Sequence, residues 1–179
     1  MLDLKALESG KKSGLPPVHK WTPDFCGDMD MVVKANGDWI HDGDKIKRAN
    51  MVTMFSHILW FENAEYFLVT PVEKVRIQVE DAPFLVTKWR KIETESGPAI
   101  EFTTLTEDVK ILGVDCDLWM AGKSHSERPY ISMRYGMKAM IHRNVFYQLV
   151  EDLVPVSTPE GKGMGLISAS KAYLLIADE

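Results

Sequence analysis

The chain has 179 residues, of which 45% are hydrophobic and 26% are charged, and this is the composition of an ordinary globular protein. Disordered, collagen-like and disulfide-scaffold proteins are excluded. With 21 basic and 26 acidic residues the formal net charge is −5, so we expect no general attraction to nucleic acid or to an anionic membrane. No apolar run approaches the roughly 18 residues of a membrane span or resembles a secretory signal, which predicts a cytoplasmic protein.

The amino-terminal part of the chain changes character at residue 15. Residues 1–14 are polar, with a cluster of glycine, lysine and serine, and they predict a disordered leader. The next stretch, LPPVHKWTPDFCGDMDM, combines three prolines with aromatic residues and is typical of an extended strap packed against a folded body. We assign residues 15–83 to a first lobe that includes the strap, and residues 84–179 to a second lobe.

The first lobe is predicted to contain strands around one helix. An apolar stripe at helical spacing follows Asn50, which is a good N-cap, and predicts a helix over residues 50–59. The clearest period-two alternation of the chain lies in VEKVRIQVE, residues 72–80, and predicts a half-buried strand. The remaining strands are predicted at residues 30–34, 38–41 and 66–70.

The second lobe is predicted to be richer in strands. A second apolar stripe behind Asn144 predicts a helix that ends before Pro155. The glycine-rich stretch VSTPEGKGMG, residues 156–165, predicts a loop. Strands are predicted at residues 84–92, 99–105, 108–112, 118–121, 130–135 and 137–142, and a strand or bent hairpin at residues 166–176.

The two halves contain a weak repeat. Ile46-Lys47-Arg48 precedes the first predicted helix, and Ile141-His142-Arg143 precedes the second. A duplication would make an α+β fold of two related lobes, each with a helix packed on antiparallel strands. The alternative is chance, since strand-to-helix junctions favour such residues. If the lobes pack together, the seam between them is a preferred place for a small ligand.

Three stretches together resemble the bacterial family called domain of unknown function 1285. They are PPVHKWTPDFCGDMDM, YFLVTPVEKVRIQVEDAPF and RPYISMRYGMKAMIHRNVFYQLVE. The resemblance implies two duplicated α+β lobes, the second similar to a pleckstrin-homology fold. It also implies a pocket at the lobe interface that suits a nucleotide-based ligand, and a part in signal transduction.

Two cations on the alternating strand are the leading candidates for binding a ligand. Period two places Lys74 and Arg76 about 7 Å apart on one face, where both could reach one phosphate or carboxylate. Glu80 follows on the same face. The alternative is a solvated strand face whose cations pair internally with Glu73, Glu80 or Asp81.

Further candidates come from the helix starts and from the strap. Arg48 and Arg143 precede helix N-termini, which attract anions; the alternative is a structural role bridging to a carboxylate. His19 and Trp21 could supply a polar group and an aromatic wall to the same ligand.

Metal, redox and phosphate-loop signals are weak. Cys26 and Cys116 lie far apart, which fits a reducing compartment, and no ligand spacing typical of zinc or calcium is present near His19. The GKGMG segment lacks the remaining residues of a phosphate-binding loop. We therefore predict no metal and no cofactor.

The sequence favours a protein that binds a small anionic or nucleotide-like ligand, and we assign no catalytic residue. One alternative is an enzyme that acts on a phosphorylated small molecule, with Glu80 or Asp81 as the base. Another is a protein-interaction module that uses the second lobe. We expect neither nucleic acid nor membrane as a partner, and the oligomeric state is left open.

Overall fold

The computed structural model describes residues 14–123 and 126–178. The chain divides into two compact units, of which the first ends at Pro83 and the second begins at Phe84. These units are called the first and second lobe below. Residues 1–13, most of the predicted leader, lie outside the described residues. No helix in the described part of the chain is long and apolar enough to cross a membrane.

Over residues 14–83, the first lobe is one sheet with one α-helix. Its elements are a 3-10 helix (Val18–Lys20), β1 (Phe25–Val33), β2 (Trp39–His41), β3 (Asp44–Lys45), α1 (Ala49–His57), β4 (Leu59–Glu62), β5 (Glu65–Val69) and β6 (Lys74–Val79). The helix is seated on the sheet by stacking of Phe55 on Trp39, with 6.2 Å between the ring centroids. Leu59, predicted as part of the helical stripe, instead begins a strand.

The strands of the first lobe form two meanders that share one sheet. Their order is β3-β2-β1-β6-β5-β4, and every neighbouring pair is antiparallel except the central pair of β1 and β6. The parallel pair arises because the connection through α1 crosses from β3 at one edge of the sheet to β4 at the other, so that β6 returns beside β1 in the same direction. The buried core beneath includes Met31, Val33, Ile58 and Leu68.

In its described residues, 84–123 and 126–178, the second lobe has two sheets and one α-helix. Its elements are β7 (Phe84–Thr94), β8 (Gly97–Thr104), β9 (Val109–Ile111), β10 (Leu118–Ala121), β11 (Arg128–Ser132), a 3-10 helix (Arg134–Gly136), β12 (Lys138–Ile141), α2 (Arg143–Val150), β13 (Val154–Thr158), β14 (Gly161–Ser168) and β15 (Lys171–Ala177). Val145 and Leu149 of α2 are buried, and Gln148 accepts a hydrogen bond from the Trp89 indole at 2.8 Å.

The two lobes repeat one strand order. Read from its β9 edge, the larger sheet of the second lobe runs β9-β8-β7-β12-β11-β10, which is the first-lobe order with six added to each number. Its central pair of β7 and β12 is again parallel. The strands β13-β14-β15 form a separate antiparallel sheet. The predicted α+β fold of two related lobes is therefore confirmed. The likeness of the second lobe to a pleckstrin-homology fold stays a prediction.

Two details of the predicted duplication are corrected. The sheets are mixed and not wholly antiparallel, because the last strand of each repeat returns beside the first. The tripeptides before Arg48 and Arg143 are not equivalent positions, because α1 follows the third strand of its repeat and α2 follows the sixth. The duplication is visible in the strand order and not in those residues.

The predicted glycine-rich loop is wrong, since residues 161–168 form β14 in the middle of a three-stranded sheet. A Cβ atom added to Gly163 would lie 2.0 Å from the Ile176 carbonyl oxygen, and one added to Gly165 would lie 2.0 Å from that of Tyr173. These glycines permit close backbone approach within a sheet. Local sequence cannot distinguish that requirement from a flexible turn.

Candidate functional site

A cavity in the first lobe gathers three of the predicted ligand residues. We call it the first-lobe pocket; its volume is about 290 Å³. It is lined by Val18, His19, Trp21, Thr22, Pro23, Trp60, Glu62, Val69 and Lys74. These residues come from the strap, from β4 and from the β5–β6 hairpin, which are distant in sequence.

The strap delivers His19 and Trp21 through a short helix and not through a fully extended chain. Val18 is 2% exposed and anchors the 3-10 helix, whose turn is closed by a bond from the Trp21 N–H to the Val18 carbonyl at 3.0 Å. Because Val18 points into the core, its neighbours His19 and Trp21 are placed at the pocket. The strap then continues as β1.

Lys74 is the cation of the first-lobe pocket. Its ammonium group forms an ion pair with Glu62 and lies 4.4 Å from the centroid of the Phe67 ring. The second oxygen of Glu62 accepts a hydrogen bond from the Trp60 indole at 2.9 Å. The Lys74 and Trp60 hydrogen bonds hold the pKa of Glu62 below its ordinary value, so the carboxylate stays charged at neutral pH.

Arg76 points into a different cavity, of about 480 Å³, and is held by two carboxylates. Its guanidinium donates to Asp28 at 2.7 and 3.1 Å and to Glu65 at 2.7 Å. The bidentate Arg76 hydrogen bonds lower the pKa of Asp28. Lys74 and Arg76 thus line separate cavities, and each has an acidic partner within the first lobe.

Glu80 closes a turn and does not line the first-lobe pocket. Its carboxylate accepts hydrogen bonds from the Lys34 ammonium at 2.7 Å and from the Ala35 N–H at 3.0 Å. These two donors lower the pKa of Glu80, which makes the group a weak base. The arrangement fixes the β1–β2 turn to the end of β6.

Arg48 and Arg143 lie at helix starts, as predicted, but the predicted caps are wrong. The N-cap residues are Arg48 and His142, and His142 Nδ1 accepts a hydrogen bond from the Asn144 N–H at 3.2 Å. Arg143 lies 5.8 Å from the ring centroid of Tyr147. The two arginines belong to different lobes, and neither lines any of the three cavities described in this section.

Comparisons with known proteins match the two lobes of the chain to two separate family models. The model of the DUF1285 N-terminal domain, a domain of unknown function, matches residues 16–82, and that of the DUF1285 C-terminal domain matches residues 83–175. The chain belongs to the DUF1285 family. No curated protein matches it.

Two solved DUF1285 structures resemble the chain. A DUF1285 family protein from Silicibacter pomeroyi DSS-3 is 35% identical, with a TM-score of 0.83 over 97% of this chain and 94% of that one. A DUF1285 family protein from Shewanella baltica OS155 is 28% identical, with a TM-score of 0.57 over 69% of this chain and 92% of that one. The predicted membership of the DUF1285 family is confirmed.

Sequence reasoning missed the acidic side of this DUF1285 pocket. Glu62 precedes a two-residue turn, Asn63-Ala64, in which both residues have positive φ, and the resulting β4–β5 hairpin brings Glu62 and Trp60 toward Lys74. Asn63 was a turn signal in the sequence. Recognising the hairpin would have placed Trp60 and Glu62 beside the cation.

A third cavity, larger than the two cavities of the first lobe named above, lies in the second lobe and was not predicted. We call it the edge groove; its volume is about 730 Å³. It is lined by Glu127, Ala177 and residues 117–120, 157–160 and 171–175.

Metal and thiol chemistry find little support in the described residues. Within residues 14–123 and 126–178, no three His, Cys, Asp or Glu side chains group closely enough to hold a metal ion. Cys26 is exposed, and its thiol donates to the Asp24 carbonyl at 3.3 Å. Burial raises the pKa of the Cys116 thiol to about 12, which disfavours the reactive thiolate.

Proposed function

We propose that this DUF1285 protein binds a small anionic ligand that carries a planar ring, such as a nucleotide, in the first-lobe pocket. The observation that carries the proposal is the convergence of Trp21, Trp60, His19 and Lys74 on one cavity from three segments of the chain. The proposed ligand therefore contacts first-lobe residues. The sequence-based expectation of a seam between the lobes is not part of the proposal.

The tryptophans supply the surface for a planar ring. Trp21 and Trp60 are both partly buried, so each presents part of its face to the cavity while the rest packs against the lobe. Stacking of a base on an aromatic side chain contributes about 1–3 kcal/mol. The ring would be recognised by its shape more than by its hydrogen bonds.

Lys74 supplies the contact to the anion. An ammonium group has three N–H donors, and Glu62 accepts from it while the Phe67 ring lies nearby. Ion pairs of partly exposed groups contribute about 1 kcal/mol or less, so an incoming phosphate competes with Glu62 at small cost. His19 lines the same cavity, and its imidazole N–H is a donor from a second residue.

Glu62 gives the pocket an acceptor as well as a donor. Its carboxylate stays ionised and also binds the Trp60 indole, so it remains in place when Lys74 turns toward an anion. A carboxylate beside an anion site suits a ligand with hydroxyl groups, as in a ribose. Base, sugar and phosphate would each meet a matching side chain.

The size of the pocket limits the ligand. Its volume of about 290 Å³ is at the lower end of the range for small-molecule sites, which is about 300–1,000 Å³. A mononucleotide fits this range better than a dinucleotide. We therefore expect the ring and the first phosphate of the ligand to supply most of the binding free energy.

The pocket favours binding over catalysis. Of the two bases in the alternative enzyme hypothesis, Glu80 and Asp81, Glu80 is held by Lys34 and Ala35 and keeps its charge, and neither lines the first-lobe pocket. Binding without a reaction would make the protein a sensor, which is the signal-transduction role that the family resemblance implied.

Calorimetric titration of the full chain with adenosine 5′-monophosphate tests this function, with adenosine and ribose 5-phosphate as partial ligands. The protein is first freed of carried-over ligand. We expect the complete nucleotide to bind more tightly than either part, and Lys74→Met to weaken it about tenfold. Lys45→Met is the matched control, because Lys45 pairs with Asp38 in the same lobe outside the pocket.

Each arm of this titration has a result that contradicts the proposal. If adenosine bound as tightly as the nucleotide, the phosphate would make no contact that adds affinity. If ribose 5-phosphate bound as tightly as the nucleotide, stacking on the tryptophans would contribute nothing. If Lys74→Met and Lys45→Met weakened binding equally, the ligand would not bind in the first-lobe pocket. Absence of binding by all three compounds would overturn the proposed function.

A further inference from the structure

The edge groove of the second lobe is bordered by the main chain of two strands. Four consecutive residues of one border, 117–120, and five of the other, 171–175, line it. Side chains of a strand alternate between faces, so an unbroken run along a cavity means that the strand edge itself faces it. Within the described residues, β10 and β15 are edge strands, each paired on one side.

The register shows which main-chain groups of β10 face the groove. The Ser132 N–H donates to the Asp117 carbonyl at 3.0 Å, and Trp119 lies opposite Tyr130 on β11. In an antiparallel pair alternate residues turn their N–H and C=O toward the partner strand. Leu118 and Met120 therefore turn theirs outward, toward the groove.

The same reasoning applies to β15. It is joined to β14 by a two-residue turn, Ala169-Ser170, in which both residues have positive φ. Such a turn makes the flanking residues Ser168 and Lys171 a hydrogen-bonded pair. Ala172 and Leu174 consequently direct their N–H and C=O to the groove side of β15.

The charges of the groove select the partner. Of its described lining residues, Asp117, Glu127 and Glu160 are acidic and one, Lys171, is a cation. Trp119 lines it too and is 37% exposed, which offers an aromatic face to a cationic side chain. The Tyr173 hydroxyl donates a hydrogen bond to Asp117 at 3.1 Å, which joins the two borders of the groove.

We propose that the edge groove binds an extended, basic segment of another protein by β-strand addition. The segment would pair its main chain with the outward groups of β10 or β15 and place lysine or arginine side chains beside Glu127 and Glu160. Main-chain pairing supplies affinity and the alternate side chains supply specificity. This interaction is separate from the ligand of the first-lobe pocket.

Fluorescence anisotropy of a labelled peptide with the full chain tests the proposal. Because main-chain recognition tolerates many sequences, the probe is a short capped peptide of alternating valine and lysine residues. We expect it to bind at low ionic strength. A peptide of alternating valine and glutamate should not bind, and neither should the valine–lysine peptide with N-methyl groups on alternate amides, because these remove the main-chain donors of one edge.

Charge variants locate the site. Glu127→Lys and Glu160→Lys should together weaken the valine–lysine peptide at least about tenfold. Glu95→Lys and Glu151→Lys make the same charge change on exposed positions of the second lobe outside the groove, and should reduce binding much less. Equal losses in the two double variants would overturn the proposal.

The main chain itself is tested by proline and by hydrogen exchange. Ala172→Pro removes an outward N–H without removing a bond to β14, so it should weaken pairing to β15. In the unaltered protein, bound peptide should slow amide exchange in residues 118–120 or 172–174. Binding that survives N-methylation, or that slows exchange at neither edge, would show electrostatic adsorption or a small-molecule cavity and would contradict strand addition.

Discussion

The two lobes share a strand order, but among the ion pairs of the described residues only the second lobe has one in which both side chains are largely buried. In the first lobe, the ion pairs of Arg76 with Asp28 and of Lys34 with Glu80 have side chains that are 40–66% exposed. In the second lobe, the Arg134–Asp108 pair has side chains only 11% and 9% exposed. Exposed pairs exchange partners at small cost, whereas a buried pair is fixed in place.

The candidate sites of the two lobes also differ, although the strand order is the same. The first-lobe pocket is lined by side chains, and its cation Lys74 is held by an ion pair that an anion can enter. The edge groove is bordered by main chain and carries mostly carboxylates. The duplicated lobes therefore keep the same strand order. Their side chains, and the additional β13–β15 sheet of the second lobe, determine what each lobe can bind.

The largest expected effect concerns the buried pair of the second lobe. Arg134→Met should lower the free energy of unfolding by about 3–5 kcal/mol, because it leaves the buried Asp108 carboxylate without its cation. Urea denaturation followed by circular dichroism measures this. Lys91→Met is the control, since Lys91 and its partner Asp152 have side chains that are 65% and 35% exposed, and its midpoint should stay near that of the unaltered protein. Similar losses in both variants would contradict the contrast.

A smaller loss is expected from filling the closest backbone contact of the added sheet. Gly165→Ala would place a Cβ atom 2.0 Å from the Tyr173 carbonyl oxygen and 2.7 Å from Val156 Cγ2. We expect a loss of about 1–3 kcal/mol by urea denaturation. The neighbouring exposed change Lys162→Ala should cost much less, and an unchanged midpoint for Gly165→Ala would show that the sheet yields easily.

Acid should destabilise the first lobe through its paired carboxylates. The pKa values of Glu62 and Asp38 are lowered by hydrogen bonds from Lys74 and Lys45, respectively. A lowered pKa in the folded state stabilises the protein above the ordinary carboxyl pKa, and this stability is lost as the pH falls through the folded value. The urea midpoint should therefore fall between about pH 5 and pH 3.

Two variants separate this effect from general acid sensitivity. Glu62→Gln should reduce the fall of the urea midpoint with pH, because the group no longer titrates. Asp44→Asn should leave the fall nearly unchanged, since Asp44 forms no ion pair with another described residue of the first lobe. A fall as steep in Glu62→Gln as in the unaltered protein would contradict the linkage.

The smallest expected effect belongs to the exposed pair of Arg76 and Asp28. Asp28→Asn should barely move the urea midpoint at neutral pH, because Glu65 still binds the guanidinium and water screens the pair. A loss as large as that of Arg134→Met would show that the first lobe also depends on fixed charges.

Local patterns in the sequence predicted the helices and strands better than they predicted which residues contact each other across the fold. The alternation around Lys74 gave β6, and the apolar stripes located both helices. Arg76 and Asp28, however, are 48 residues apart and meet only because β1 and β6 run parallel, which no local pattern indicates. The glycines of β14 failed as signals for a similar reason, because the contact that requires them comes from β15.

Nuclear magnetic resonance of the tryptophan indole N–H groups tests the contrast between the lobes most directly. Among the five tryptophans, Trp21 and Trp60 line the first-lobe pocket and Trp119 lines the edge groove. Trp39 is buried and Trp89 is bound to Gln148, so both serve as internal references. Adenosine 5′-monophosphate should shift the Trp21 and Trp60 signals and leave Trp119 in place. A shift of Trp119 alone, or no shift in the first-lobe pocket at saturating nucleotide, would contradict the account.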